Sequence, residues 1–314
     1  MTAALAKELE CFGPAAAYRT PRLFAAREYC RRYARSKYEN FSVVSLVLPR
    51  RLIPHFNAVY AFCRWADDLA DESGGGAQAL DLLAWWRSEL DRLYEGYPRH
   101  PVMVALAPTI ERFGIPAKPF LDLLFAFEQD QLVKRYATFD QLLEYCRHSA
   151  DPVGRLVLYL FESFDDSCAV LSDRICTALQ LTNFWQDVAR DFDIGRVYLP
   201  EDDMASFGYS ESDLLTKRFT RSFSELMRFE VNRTRDMYFR GMPLIQRLPS
   251  ELRVDVELFA RGGLAVLGKI ERQGYNVWHH RPRLAKYEKA ALMAGAMWRH
   301  WQNKIWPPRR PMDV

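Results

Sequence analysis

The 314-residue chain lacks convincing strand alternation, and it lacks any apolar run long enough to span a bilayer. The longest approach to such a run, residues 119–127, is interrupted by Asp122. Residues 1–10 have neither the basic nor the apolar region of a secretory signal peptide. These absences argue against a membrane-spanning or exported protein, and we expect a cytoplasmic one.

Cysteine pairs at metal-binding spacing are also missing. The six cysteines show no Cys-x-x-Cys pattern, and several fall on apolar helix faces, so we interpret them as reduced core residues. The formal net charge of +3 is too mild and too evenly spread to indicate a nucleic-acid partner. Composition therefore favours a soluble enzyme or a peripheral membrane protein.

Helical periodicity dominates the chain. With 49% hydrophobic residues it can form a substantial core, and no repeat or linker divides it. We therefore predict an all-α fold with one domain over residues 22–306. Residues 1–21 are expected to be a loosely held lead-in, and residues 307–314 a tail.

One helix, residues 60–72, carries an unusual polar stripe. At 3.6 residues per turn its polar members share one face, and the opposite face is apolar. The members of this stripe are Tyr60, Arg64, Asp67, Asp68 and Asp71.

A second helix, over residues 180–191, repeats the pattern. Asn183, Asp187 and Asp191 recur at i, i+4 and i+8 among apolar and aromatic neighbours. Each of the two helices thus presents oxygen ligands roughly 6 Å apart along its axis. Two such walls facing each other would form a cage for hard cations.

The reason to expect a metal is energetic. Ionised aspartates in a partly desolvated cleft repel one another, and each loses hydration unless something compensates it. Mg²⁺ does so with one or two carboxylates per ion and completes its octahedron with water and phosphate oxygens. A single Asp pair at i, i+4 is more simply a solvated helix face, whereas two pairs embedded in hydrophobic sequence favour a metal site.

These blocks resemble the two aspartate-rich motifs of the squalene/phytoene synthase family of head-to-head prenyltransferases. The second block extends to the segment Asp193-Ile194-Gly195-Arg196-Val197-Tyr198-Leu199-Pro200, and the likeness covers the chain from about Arg22 to about Lys289. The resemblance implies an isoprenoid synthase helical bundle with a central cavity. It also implies a prenyl diphosphate substrate and several Mg²⁺ ions that bridge the diphosphate.

The resemblance implies roles for individual residues. Those expected to hold magnesium are Asp67, Asp71, Asn183, Asp187 and Asp191, and the four aspartates together with Arg64 are expected to carry catalysis. Those expected to contact the prenyl diphosphate are Tyr60, Arg64, Gln180 and Tyr275, with Arg196 and Tyr198 in the matching tail of the second motif. For Arg196 the alternative is a surface ion pair.

Two departures from the family pattern alter the expected diphosphate pocket. Many members carry His-Ser-x-Ser-Phe before the first motif, where this chain has Lys37-Tyr38-Glu39-Asn40-Phe41. We therefore place Lys37, Tyr38, Asn40 and Phe41 among the expected substrate contacts. An arginine often found just before the first aspartate of motif two is Gln186 here. Both changes argue against condensation of two farnesyl diphosphates.

Within the family the chain looks most like the hydroxysqualene synthase branch of bacterial hopanoid pathways. The likeness rests on the segment 148–155, the Ala-Arg-Asp at 189–191 and the segment 261–267. That branch converts presqualene diphosphate and water to hydroxysqualene. No NADPH is expected, since no glycine-rich dinucleotide fingerprint follows a strand. Candidates for guiding the water are Tyr38, Glu39 and His148.

Two alternatives stay open. One is another head-to-head enzyme, making presqualene diphosphate, squalene or phytoene; the other is a non-catalytic prenyl-lipid binding subunit. The last helix, residues 284–306, combines basic residues with Tyr287, Trp298, Trp301 and Trp306. It suits either the inner face of a membrane or docking on the core. The sequence leaves the oligomeric state open.

Overall fold

The computed structural model describes residues 1–36 and 48–305, and all regular structure in these ranges is α-helical, as predicted. The first eight helices are α1 (Ala3–Phe12), α2 (Leu23–Ser36), α3 (Ile53–Asp71), α4 (Gly76–Tyr94), α5 (Pro101–Phe113), α6 (Lys118–Leu132), α7 (Phe139–Ser149) and α8 (Asp151–Leu160). The remaining seven are α9 (Asp166–Asp193), α10 (Glu201–Ser206), α11 (Glu211–Leu215), α12 (Arg221–Gly241), α13 (Leu244–Arg247), α14 (Ser250–Arg272) and α15 (Lys286–Ile305).

The first motif helix, α3, is the centre of one group of helices. It packs against α2, α4, α5 and α6. Its apolar face buries Phe62 and Trp65 completely, and the Trp65 ring stacks on Trp86 of α4 at 5.2 Å between centroids. Because this face is locked into an aromatic core, the polar stripe must point the other way.

The second motif helix, α9, is the centre of the other group. It packs against α8, α12 and α14, and its buried face is fixed by polar contacts as well as apolar ones. The Trp185 indole donates to Thr234 of α12 at 2.8 Å, and the Thr182 and Tyr238 hydroxyls lie 3.0 Å apart. These contacts set the rotation of α9 and hence the direction of its carboxylates.

The two hydrophobic cores meet along the molecule's middle, where Phe56 and Phe113 pack against both. The segment 197–200, which follows α9, is buried. Val197 forms an isolated parallel bridge with Arg135, and its N–H donates to the Lys134 carbonyl at 2.8 Å. This bridge fixes the end of motif two against the end of α6.

Two helices begin at side-chain caps. Before α7, the Thr138 side chain accepts a hydrogen bond from the Gln141 N–H. Ser210 and Asp213 form the complete capping box of α11.

The lead-in was predicted wrongly as loosely held. Residues 3–12 form α1, capped by Thr2, whose N–H donates to the Glu72 carbonyl at 2.9 Å. Glu8 also accepts a hydrogen bond from Tyr29 at 2.6 Å. The N-terminal segment therefore packs on the end of the first motif helix, using contacts more than twenty residues away that local periodicity does not encode.

The two adjacent glycines of α14, Gly262 and Gly263, lie in different environments. A Cβ at Gly263 would overlap the Tyr238 hydroxyl of α12, whereas a Cβ at Gly262 would meet no atom within 4 Å. Close approach of the neighbouring helix α12 therefore requires glycine at position 263 and not at position 262.

Across residues 1–36 and 48–305, none of the helices combines the length and apolar character that crossing a membrane would require.

Candidate active site

The first motif opens on a cavity of about 300 Å³ between the two helix groups. Asp67 and Asp71 of α3 line it, and Gln180 of α9 and Arg196 and Tyr198 of the motif-two tail line it as well. Five residues predicted for the site are thus brought together, from stretches more than one hundred residues apart.

Asp68, on the edge of the predicted stripe, has a different environment. It is only 2% exposed, accepts a hydrogen bond from Tyr33 of α2 at 2.5 Å, and lies 2.6 Å from the Arg64 guanidinium. Arg64 also donates to Asp67 at 2.6 Å. Asp68 therefore anchors α3 to α2 and orients Arg64, while Asp67 stays at the cavity.

Arg196 is the positive charge of this cavity. Its Nη2 lies 3.7 Å from Oδ1 of Asp71, and its side chain is 21% exposed. Tyr198, two residues on, stacks on Phe184 of α9 with ring centroids 3.7 Å apart. The bridge at Val197 and this stacking hold Arg196 between the first motif and the second.

Asp130 of α6 also lines the cavity and was missed by the sequence analysis. It accepts a hydrogen bond from Tyr145 of α7 at 3.0 Å. Burial raises the pKa of Asp130 to about 6, against the lowering effect of Arg196. The sequence pattern that could have indicated Asp130 is its position at helical spacing after the apolar residues Leu123 and Ala126, where a carboxylate would face the same side as they do.

The two aspartates of the second motif have different neighbours. Asp191 and Arg196 share a second, narrower cavity, also lined by Tyr198. Burial and the like charge of Asp187 raise the pKa of Asp191 to about 7. Asp187 itself forms a bidentate ion pair with Arg281, with Nη2 2.7 Å from Oδ2. Arg281 belongs to the basic segment before α15 and was not on the list of expected site residues.

Several expected residues stand apart from these cavities. Asn183 is exposed on α9, and Tyr275 follows α14 with a positive φ of 67°; neither lines the two cavities. Tyr60 is half-buried on α3 near Arg64. Lys37, Tyr38, Asn40 and Phe41 lie outside the described residues.

Gln186, which replaces an arginine of the family pattern, is buried and donates to the Pro282 carbonyl. It therefore ties the segment carrying Arg281 to α9. This contact gives Gln186 a structural role beside the Asp187–Arg281 pair.

The donor chemistry fits a hard divalent cation. The cavity walls supply carboxylate oxygens without cysteine or histidine, which is the ligand set that Mg²⁺ prefers. Burial raises the pKa of Asp67 to about 6, although Arg64 opposes the rise. Within the described part of the chain no three acidic, histidine or cysteine side chains converge tightly enough to hold one ion alone, and arginines balance the carboxylates instead. An ion held by one or two of these carboxylates would complete its coordination with water or with oxygen atoms of a substrate.

The comparison with protein families agrees with this geometry. The family model described as squalene/phytoene synthase matches residues 34–288. The phytoene synthase of Arthrospira platensis is 31% identical over 83% of this chain and 89% of the relative. The phytoene synthase of Thermus thermophilus is 32% identical over 84% and 90%.

Solved structures show the same fold. The crystal structure of squalene synthase HpnC from Alicyclobacillus acidocaldarius aligns with a TM-score of 0.78 and 44% identity, over 81% of this chain and 96% of that one. A dehydrosqualene synthase in complex with a ligand aligns with a TM-score of 0.78 and 26% identity, over 88% and 97%.

Proposed function

Because this chain belongs to the squalene/phytoene synthase family of head-to-head prenyltransferases, we propose that it converts presqualene diphosphate and water to hydroxysqualene and diphosphate. The 44% identity with squalene synthase HpnC, against 31% and 32% with the two phytoene synthases above, favours squalene chemistry over phytoene chemistry within the family. The choice of hydroxysqualene is carried by the sequence segments 148–155 and 261–267, which look most like the hydroxysqualene synthase branch.

The site supports loss of diphosphate as the first step. Arg196 lies beside Asp71 at the cavity, and Arg64 is bound to Asp67 on the neighbouring turn of α3. A fixed guanidinium can form paired hydrogen bonds with phosphate oxygens and stabilise the negative charge that develops on the leaving group. The substrate diphosphate would therefore lie against Arg196.

We assign magnesium to the carboxylates of the two motifs. Asp67 and Asp71 on one side, and Asp187 and Asp191 with Asn183 on the other, would hold the ions through oxygen. Bound Mg²⁺ supplies Lewis-acid stabilisation of the departing diphosphate. In this structure the Arg281 guanidinium balances the charge of the Asp187 carboxylate.

The apolar wall of the cavity would protect the reactive cation. Leu123, Ala126 and Phe127 of α6 line the side that continues from Asp130. An apolar wall excludes bulk water, so that capture depends on where the protein admits a water molecule. The aromatic face of Tyr198 can stabilise positive charge nearby. None of these steps requires NADPH.

A second candidate is head-to-head condensation of two prenyl diphosphates. The phytoene synthases of A. platensis and T. thermophilus, each matched over more than 80% of this chain, favour it. The replaced segment at 37–41 and Gln186 weigh against it, because both alter the expected pocket for a second diphosphate.

One experiment separates the two candidates. The purified full-length protein is incubated with Mg²⁺ and without NADPH, in one arm with presqualene diphosphate and in the other with farnesyl diphosphate, and the lipids are identified by mass spectrometry. We expect hydroxysqualene from the first arm alone, and none after chelation of Mg²⁺. Turnover of farnesyl diphosphate with no alcohol from presqualene diphosphate would support the condensing alternative.

We also propose peripheral contact with a membrane through α15. Tyr287 and Met297 are 75% and 59% exposed on this basic helix, and both suit an interface with lipid. Flotation of the full chain with anionic liposomes, compared with a Tyr287→Ser and Met297→Ser double variant, tests it. Equal flotation of both proteins would overturn it.

A further inference from the structure

The hydroxyl of Ser149, the last residue of α7, forms no hydrogen bond that would give it a structural role. Its Oγ is inaccessible to solvent and makes no hydrogen bond, yet the residue lines the 300 Å³ cavity beside Asp67 and Asp71. Serine near a helix end usually returns its hydroxyl to a backbone carbonyl one turn earlier. Here it does not, so the hydroxyl can turn about the Cα–Cβ bond toward the cavity that the residue lines.

Unpaired buried polar groups are rare in proteins, since each forfeits its hydrogen bonds to water. They are commonly satisfied by an ordered water molecule or by a ligand. A hydroxyl can both donate and accept, so Ser149 can hold a water in one orientation when a second polar group helps.

Other uncharged polar groups line the same cavity. Gln180 of α9 lines it together with Ser149, and its amide offers both a donor and an acceptor. Tyr145 lies one helical turn before Ser149 and donates to Asp130 at 3.0 Å. The charged side chains Asp67, Asp71 and Arg196 are assigned above to magnesium and the diphosphate. Ser149 and Gln180 are thus polar groups of this cavity that can hold a water.

His148, one of the candidates from the sequence, points elsewhere. Its Nε2 lies 3.2 Å from Glu144 and its Nδ1 lies 3.4 Å from Asp122, and it does not line the cavity. Adjacent residues on a helix point about 100° apart, so Ser149 can face the cavity although His148 does not.

We propose that Ser149, with Gln180, positions the water that captures the substrate cation, and that Asp130 takes up the proton. The inference rests on the proposed function. Loss of diphosphate removes the C–O bonding pair and leaves a cyclopropylcarbinyl cation, in which a ring C–C bond migrates and the ring opens, so that the positive charge moves to another carbon of the chain. The water oxygen then forms a C–O bond to that new cationic carbon, one O–H bond breaks, and its proton passes to the Asp130 carboxylate. The products are an alcohol, diphosphate and one proton that returns to solvent.

The test compares Ser149→Ala with Ser149→Thr, which keeps the hydroxyl. Each protein is incubated with presqualene diphosphate and Mg²⁺ in ¹⁸O-water, and two quantities are measured: diphosphate release, and the fraction of lipid product that is ¹⁸O-labelled alcohol. Ser206→Ala, which removes an exposed hydroxyl on α10, is the matched control.

We expect Ser149→Ala to lower the alcohol fraction by about fivefold, as loss of one hydrogen bond would, while olefins formed by proton loss increase. Diphosphate release should fall by a smaller factor, and Ser149→Thr should restore most of the alcohol. An unchanged alcohol fraction, or a parallel fall of release and alcohol without rescue by threonine, would overturn the inference. Absence of alcohol from the unsubstituted protein would instead refute the proposed function on which it rests.

Discussion

Arg196 and Asp71 form an ion pair, 3.7 Å between Nη2 and Oδ1, that joins the tail of the second aspartate-rich motif to the end of the first. The pair matters because it links a carboxylate of α3 to the segment that follows α9. Arg196 also lowers the pKa values of Asp130 and Asp191, whose burial raises them. One guanidinium thus compensates carboxylates from three helices.

Replacement of Arg196 by alanine should therefore damage the chemistry more than the fold. We expect diphosphate release to fall by about 100-fold, the usual scale for losing one preorganised donor to a developing oxyanion. Arg196→Lys should recover part of it, because lysine keeps the charge but not the paired donors. Release is measured with presqualene diphosphate under saturating Mg²⁺.

The matched control is Arg221→Ala, since the Arg221 side chain is 92% exposed and pairs only with Glu225 within its own helix. It should release diphosphate at the unsubstituted rate. If Arg196→Ala did so too, Arg196 would be the surface ion pair that the sequence left open.

Asp67 and Asp68 are adjacent, and the structure predicts opposite consequences for them. Asp67→Asn should abolish most Mg²⁺-dependent diphosphate release while the melting temperature changes little, because Asp67 faces the cavity. Asp68→Asn should lower the free energy of unfolding by about 3 kcal/mol, because it breaks a buried pair with Arg64 and the Tyr33 hydrogen bond.

Urea unfolding and diphosphate release are measured on both variants. Activity per folded molecule of Asp68→Asn should stay well above that of Asp67→Asn. Equal loss of activity with equal loss of stability would show that the two carboxylates act as one unit.

The contrast between these two residues shows what sequence periodicity can supply. Helical spacing places both near one stripe, and the family resemblance identifies Asp67 and Asp71. The hydrogen bond from Tyr33 of α2 is what distinguishes Asp68, which has a structural role, from Asp67 at the cavity. Such a distinction depends on which helix packs alongside, and periodicity within α3 carries no information about it.

Asp130 and Arg281 escaped prediction for a related reason. Asp130 shares α6 with Asp122 and Glu128 but has no acidic residue four positions before or after it that would mark a site, and Arg281 reaches Asp187 across 94 residues. The fold class and most helix bounds follow from local patterns of apolar residues and caps. Ion pairs between distant segments require the packed structure.

Asp255 of α14 should make stability depend on pH. It is 2% exposed, neither carboxylate oxygen has a hydrogen-bond partner, and burial raises its pKa to about 7. A raised folded-state pKa means that this carboxyl group stabilises the fold when protonated. That stability is complete below the unfolded pKa near 4 and is lost as the pH rises through about 7.

Asp255→Asn removes this titration but keeps the shape. The variant should match the unsubstituted protein at low pH and exceed its unfolding free energy at pH 8 by on the order of 2–4 kcal/mol. Urea unfolding across pH 5–8 measures the difference, with Asp236→Asn on the exposed face of α12 as control. A difference that stays constant with pH would contradict the assignment.

The adjacent glycines of α14 provide a matched pair that tests helix packing. Gly262→Ala should stabilise the protein by up to about 1 kcal/mol, because alanine is the better helix former and its methyl group meets no atom within 4 Å. Gly263→Ala should destabilise it by about 2–3 kcal/mol, because the methyl group overlaps the Tyr238 hydroxyl and forces α12 and α14 apart.

A rescue variant distinguishes this clash from a general intolerance of the position. Adding Tyr238→Leu to Gly263→Ala removes both the hydroxyl and the ring carbon Cζ that the methyl group overlaps, although it also removes the contact of that hydroxyl with Thr182. In a double-mutant cycle followed by urea unfolding, the combined cost should be smaller than the sum of the single costs by at least about 1 kcal/mol. Strict additivity would mean that Tyr238 does not set the α12–α14 distance, and that another contact requires glycine at 263.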